Sequence, residues 1–166
     1  LQKPDKVRAL ILVDSAPSGL ELDIPAPPKF KLVDEAEEAG DLELVSEIET
    51  QIWFDGGRES KTVDQKMRQL VFEMNLIALQ NDEKELGTRQ QNTSSPAIDK
   101  LTELEVPVLA LVGEYDIPYM HEAVKIMAEK IQDYRCIHIP DAAHLPNMDQ
   151  PERFEEVVRG FIESVS

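Results

Sequence analysis

The strongest signal along the chain is a change of hydrophobic period. Residues 108–112, Val-Leu-Ala-Leu-Val, form an unbroken apolar run, and Tyr134–Ile139 makes a second short run. Between them Ala123, Val124, Met127, Ala128 and Ile131 recur at the spacing of one helix face. A strand, a helix and a strand make a crossover unit, whose right-handed connection lays the two strands parallel and side by side. Residues 7–13, Val-Arg-Ala-Leu-Ile-Leu-Val, are apolar at nearly every position. That suits a strand covered on both faces in a parallel sheet. Near the C-terminus Phe154, Val157, Val158, Phe161, Ile162 and Val165 form the stripe of a helix opening at Pro151. The predicted class is α/β, with parallel strands and flanking helices.

The middle of the chain has a different texture. Residues 14–19 gather turn formers, and residues 23–28 carry three prolines, which reads as an extended connector. From residue 30 to 91 the pattern is helical. Residues 33–39 form a short acidic helix that Gly40 closes. A second helix starts at Asp41, carries Val45, Ile48 and Ile52, and runs through Trp53 and Phe54 to the turn Asp55-Gly56-Gly57. A third is expected from Thr62, where Thr62 and Gln65 have capping-box spacing. It carries Val63, Met67, Leu70, Met74 and Ile77 on one face, and Phe72, Leu76 and Leu79 on another. A helix apolar on two faces is buried on both or covers a pocket with one. After a polar loop at 92–96, Ser95 and Pro96 open a short helix that turns Ile98 and Leu101 inward. The division is thus 1–22 for the first core strand and loop, 23–93 for a helical subdomain, and 94–166 for the C-terminal core.

Composition narrows the partners. A length of 166 residues, 42% hydrophobic and 30% charged, suits one domain with a small subdomain. The net charge of −16 is wrong for a nucleic-acid backbone. No apolar run approaches the ~20 residues of a membrane span, and L-Q-K-P-D-K has no apolar signal region. The single cysteine, Cys136, excludes an internal disulfide and fits a reducing, cytoplasmic setting, where it reads as a small buried strand residue. There is no Cys/His metal spacing and no glycine-rich phosphate loop, so no cofactor and no metal are expected.

The candidate chemistry lies at the ends of the crossover strands. Parallel neighbours send their following loops to the same C-terminal edge, where open α/β sheets bind ligands. Those loops carry Asp116 and His144, 28 positions apart in sequence (144 − 116). An acid beside an imidazole is the orienting half of a nucleophile–His–acid triad. Asp14 also ends a strand and is a rival for the acid. Ser15 follows it but lacks the flanking small residues of a nucleophile elbow. His138, mid-strand, is assigned to packing, and His121, at a helix start, to the surface. The plainer readings are an Asx loop residue for Asp116, a solvated histidine for His144, and core side chains for Trp53, Phe54 and Met74.

Gly113-Glu114-Tyr115-Asp116 and Ala143-His144, with Pro151-Glu152 opening the last helix, resemble the acid and histidine loops that end the α/β-hydrolase fold. V-R-A-L-I-L-V-D-S-A-P resembles the strand that follows that family's nucleophile helix, and the helical middle sits where the family inserts its cap. The resemblance covers essentially the whole chain but only the C-terminal half of the fold: three parallel strands, flanking helices and an inserted helical cap. Two departures stand out. Ala143 replaces the usual Gly before the histidine, and no G-x-S-x-G occurs anywhere.

The resemblance implies a hydrolase of an ester or similar bond, with His144 as general base, Asp116 orienting it, and Trp53, Phe54 and Met74 of the cap as substrate contacts. The nucleophile (Ser, Asp or Cys) is expected upstream of Leu1, so this chain by itself is expected to be inactive. The expected partners are a small apolar or ester-like substrate, and either the N-terminal half of the fold or a second copy across the open edge of the first strand. Nucleic acid and membrane are not expected. The rival reading is a non-catalytic binding or assembly module on the same fold, which has no need of an acid paired with a histidine.

Overall fold

The computed structural model describes residues 6–87 and 95–166 of the chain. Residues 92–94 of the expected polar loop therefore lie outside the described residues. The chain divides into two compact units, Leu1–Ile24 with Asn92–Ser166, and Pro25–Gln91.

The first unit is built on a parallel sheet of β1 (Leu10–Val13), β2 (Val108–Gly113) and β3 (Tyr134–Ile139), in that order. Strand β2 is central and all six of its residues are buried, which is why its sequence shows no polar alternation. Val108, Ala110 and Val112 enter one core with Leu101, Val124, Met127 and Ile131. Leu109 and Leu111 enter the opposite core with Ile139, Ala142, Val157 and Phe161. Helix α4 (Pro118–Lys130) supplies Val124 and Met127 to the first core. Helix α6 (Pro151–Ser164) supplies Val157 and Phe161 to the second. Each fully buried Val or Leu is worth about 1.5–3 kcal/mol relative to exposure, so the two faces of β2 dominate this unit's stability.

Some sequence expectations shift. Strand β1 begins at Leu10 rather than at residue 7. Leu10 pairs opposite Val108, and its N–H donates to the carbonyl of Pro107 at 2.9 Å. Pro107 has no N–H to extend the ladder. Residues of β1 touch both cores yet are only half-buried, because β2 is the strand's one partner among the described residues. Ala128 and Ile162, placed on the buried faces of their helices, are exposed. The segment after Pro96 is a 3-10 helix, Ala97–Glu103, which still turns Leu101 and Ile98 into the core.

The helical unit contains α1 (Lys29–Glu38), α2 (Leu42–Thr50) and α3 (Gln65–Glu83). Gly40 takes a left-handed φ of 70° after α1, and the Asp41 side chain caps α2 by accepting from Leu44 N–H at 3.0 Å. A π-helical turn, Gln51–Asp55, carries the chain from α2 to Gly56. The expected Thr62/Gln65 capping box does not form. Asp64 caps α3 instead, accepting from Met67 N–H at 2.9 Å. Gln65 Nε2 reaches back to the carbonyls of Ser60 and Val63. Asp is the stronger cap and here holds the extended backbone that a cap requires. On α3 the buried residue is Val71, while Leu70, Met74 and Ile77 are exposed, so the first apolar stripe faces outward beyond the buried Val63 and half-buried Met67 at its start. Arg68 of α3 bonds both Asp55 and Glu47, joining α3 to the end of α2 and to the π-helical turn.

Candidate active site

Strand β2 delivers Asp116 through a tight turn. The N–H of Glu114 bonds the carbonyl of Ile139 at 3.0 Å, and that of Tyr115 bonds Ala142 at 2.8 Å. The acid loop is thereby stitched to the end of β3 and to the histidine loop. Gly113 is what permits this closeness. A Cβ there would lie 1.9 Å from the Ala143 carbonyl oxygen and 2.6 Å from that of Ala142. The glycine of the G-x-x-D motif is thus a requirement of backbone approach. On the other side, Asp141 takes a positive φ of 57°, Ala142 and Ala143 are buried, and Ala143 N–H donates to Asp149 Oδ2 at 3.0 Å. Helix α5 (Pro146–Asp149) follows and carries that aspartate. Ala143 fits in its buried position, so the side chain that departs from the usual glycine does not block the loop.

These two loops bring Asp116 and His144 into contact. His144 Nδ1 lies 2.9 Å from Asp116 Oδ2 and 3.1 Å from Oδ1. The Asp116 side chain is wholly buried and that of His144 is 23% exposed. Asp116 Oδ1 also accepts from Ile117 N–H at 2.7 Å, at the start of α4. Burial by itself would raise the Asp116 pKa, but the hydrogen bond from His144, with the Asp14 carboxyl beside it and the N–H of Ile117, outweighs it and holds the carboxyl below its usual value. Asp116 is therefore ionised at neutral pH and accepts, so Nδ1 of His144 is the ring nitrogen that donates to it.

Asp14 belongs to the same cluster. It follows β1 with a positive φ of 38°, is buried, and accepts from Gly113 N–H through Oδ1 at 2.9 Å. One atom each from Asp14, Asp116 and His144 lie within 4.8 Å of one another. The sequence posed Asp14 and Asp116 as rivals; the fold puts both at one place, with His144 bonded to Asp116. Two residues that the pattern did not single out help shape the loops: Asp149, above, and Glu114, whose Oε2 accepts from Asp141 N–H at 3.1 Å. Neither sits in a recognisable spacing, so only the folded loops reveal them.

The remaining candidates separate. Ser15 follows β1 in irregular chain rather than on a strand–turn–helix elbow. His138 is exposed on β3, not packed within it, and stacks on His121 of α4 with ring centroids 5.6 Å apart. Cys136 is half-buried in β3, and its thiol pKa is raised by burial and by Asp14. In the helical unit Phe54 is fully buried, Trp53 packs edge-on against Phe30 at 5.5 Å, and Met74 is exposed.

Comparison with solved structures places this architecture. A thermophilic esterase from Thermogutta terrifontis superimposes on 99% of the chain with a TM-score of 0.72 and 25% identity. The chain has the α/β-hydrolase fold. MenH from S. aureus matches 95% of the chain at a TM-score of 0.70 and 20% identity. The naproxen esterase (carboxylesterase NP) of Bacillus subtilis matches 97% at a TM-score of 0.61 and 19% identity. In sequence, 67 residues are 31% identical to 3-oxoadipate enol-lactonase 1 of Acinetobacter baylyi, covering 40% of this chain and 25% of that enzyme. No protein-family model matches the chain. The chain spans 58% of the Thermogutta esterase, 59% of MenH and 53% of the naproxen esterase. It therefore corresponds to part of the α/β-hydrolase fold, the part with three parallel strands and their helices.

Proposed function

We propose that this chain provides the acid and the base of an α/β-hydrolase that cleaves an ester or similar bond, with Asp116 as the acid and His144 as the general base. The observation that carries the reading is the 2.9 Å contact between His144 Nδ1 and a fully buried Asp116 carboxylate, at the C-terminal edge of adjacent parallel strands. In this mechanism Nε2 of His144 takes the proton of a nucleophile as that atom attacks the carbonyl carbon, then returns it to the leaving group. Asp116 fixes the tautomer and stabilises the imidazolium that forms between the two transfers. General base work of this kind contributes roughly 10²–10⁴-fold, given a nucleophile and oxyanion donors. Both are assigned to the portion of the fold that this chain does not span, and the chain alone is expected to be inert.

Helical unit Pro25–Gln91 takes the role of the cap in this proposal. Phe54 presents no surface, so substrate contact is assigned to Trp53 and the exposed Met74. The substrate class is small and apolar or ester-like, in keeping with the esterases and the enol-lactonase that the chain resembles. The edge of β1 away from β2 has no strand partner among the described residues, and we assign it to the rest of the fold or to a second copy of the chain.

The test is hydrolysis of a short-chain p-nitrophenyl ester by the longest natural chain that contains this sequence, beside its His144→Ala variant. Loss of turnover in the variant is expected. Undiminished hydrolysis would remove His144 from the mechanism. A G-x-S-x-G encoded roughly 25 residues upstream of Leu1 would supply the nucleophile, whereas a stop codon followed by a start near Leu1 would favour a binding or assembly module instead.

A further inference from the structure

We propose that Asp14 is a second, proton-bearing carboxyl of this site, a positioning residue that clamps the acid loop at Gly113 and hydrogen-bonds Asp116 so that Asp116 stays charged and oriented toward His144. The inference rests on the reading of Asp116 and His144 as the catalytic pair and gives their support a chemical form.

The geometry is specific. Asp14 ends β1 in the left-handed region, at φ 38°, a strained conformation for an L-residue other than Asn or Asp. That backbone turns the carboxyl inward, where Oδ1 accepts from Gly113 N–H at 2.9 Å. Gly113 is the residue that closes the acid and histidine loops on each other, so Asp14 anchors the junction from the neighbouring strand. Its second oxygen is different. Among the described residues Asp14 Oδ2 is buried and has no hydrogen-bond partner, yet one Asp14 oxygen lies within 4.8 Å of atoms of Asp116 and His144.

A buried carboxylate oxygen without a donor is costly, and two buried carboxylate charges at this separation repel. A single proton removes both problems: held on Asp14 Oδ2, it becomes a donor with Asp116 as acceptor. The asymmetry of the pair says which carboxyl holds it. Asp116 already receives Nδ1–H of His144 and the N–H of Ile117, both of which favour its charged form. Asp14 receives one backbone N–H. Burial, followed by the Asp116 carboxylate beside it, pushes the Asp14 pKa from 3.8 up to about 9. Among the described residues the titratable groups that face Asp14 are Asp116 from the loop after β2, His144 from the loop after β3, and Cys136 on β3. During turnover the Asp14 proton stays where it is. The proton that moves is the one His144 takes from the nucleophile and gives to the leaving group.

Asn is the uncharged mimic of a protonated Asp, with one oxygen to accept from Gly113 and one NH₂ to donate to Asp116. On the natural full-length protein, treated with a chelator so that no cation can stand in for the proton, infrared difference spectra at pH 7 compare wild type with Asp14→Asn. A protonated-carboxyl carbonyl band that the substitution abolishes is expected; identical spectra in that region would overturn the proposal. In ester hydrolysis, Asp14→Asn is expected to hold kcat within about threefold, whereas Asp14→Ala loses roughly ten- to a hundredfold in kcat with little change in KM. Asp14→Asn falling as far as Asp14→Ala would show that the charge is needed and would also overturn it. Failure of the underlying reading looks different: His144→Ala would then leave hydrolysis intact while the carbonyl band persisted.

Discussion

Replacing Gly113 with alanine attacks the junction on which the whole site depends. The new Cβ would sit 1.9 Å from the Ala143 carbonyl oxygen and 2.6 Å from that of Ala142. Carbon and oxygen that are not bonded approach to about 3.3 Å, so the histidine loop has to withdraw by roughly 1.4 Å or the end of β2 has to move by as much. Neither side can yield cheaply, because both offending atoms are backbone. The bonds at risk are Tyr115 N–H to Ala142 at 2.8 Å and Glu114 N–H to Ile139 at 3.0 Å. Losing one or two of these bonds at about 1–3 kcal/mol each, with about 1–3 kcal/mol of overpacking, gives an expected loss of roughly 2–9 kcal/mol. That is a large share of the ~5–15 kcal/mol that holds a domain together. Denaturant titration of the full natural chain measures it, and the Nδ1–H proton resonance of His144 reports whether the bond to Asp116 survives. Ala143→Gly, which only removes a buried methyl, is the control and should cost no more than about 1 kcal/mol. A Gly113→Ala protein within about 1 kcal/mol of wild type, with the His144 resonance unmoved, would refute the reasoning.

Three further outcomes follow from the same physical chemistry. Arg68→Ala leaves the nearly buried Asp55 carboxylate (2% exposed) without its cation. It should destabilise the helical unit by about 3–5 kcal/mol, read by the fluorescence of Trp53, the chain's single tryptophan. The Arg68 hydrogen bond also holds Glu47 below its usual pKa. That contribution is present above pH 4.5 and lost as pH falls, and in Arg68→Ala this acid sensitivity should shrink; an unchanged acid limb would contradict the pairing. Phe161→Ala opens a cavity among Leu109, Leu111, Ile139 and Val157 and should cost about 3–5 kcal/mol in urea titration. Asp14, by contrast, should carry a pH-dependent cost. Between its usual value of 3.8 and about 9 the folded state keeps a proton that the unfolded chain releases, so stability falls as pH rises through that window. The advantage of Asp14→Asn over wild type should therefore be nil at pH 3 and grow toward pH 8, by at most ~1.4 kcal/mol per unit; a difference independent of pH would count against a protonated Asp14.

Much of this was legible in the chain because it is local. The period of Ala123, Val124, Met127, Ala128 and Ile131 marked the buried face of α4 at every position but Ala128, and the unbroken apolar run of β2 reflects a strand with a core on each face. Where the reading slipped, competing local chemistry decided the outcome. Asp64 displaced Thr62 as the cap of α3, and Pro107 stopped the β1 ladder at Leu10. On α3, spacing showed two apolar stripes, to be buried on both sides or to cover a pocket with one. The packing against α2 chose the face with Val71 and left Leu70, Met74 and Ile77 outside.

The site divides along the same line. The residue types and the strand–helix–strand order in the sequence determined that Asp116 and His144 would reach one edge of a parallel sheet, because a right-handed crossover allows little else. Their 2.9 Å contact, the need for a glycine at 113, and the arrival of Asp14 in the same cluster depend on how loops 99 and 28 residues apart close on one another. Those are facts of tertiary approach. Pattern fixes which face a side chain takes along its own element, but which backbone oxygen lies against which glycine, and which of two carboxyls keeps the proton, is set only when separate strands share one buried volume.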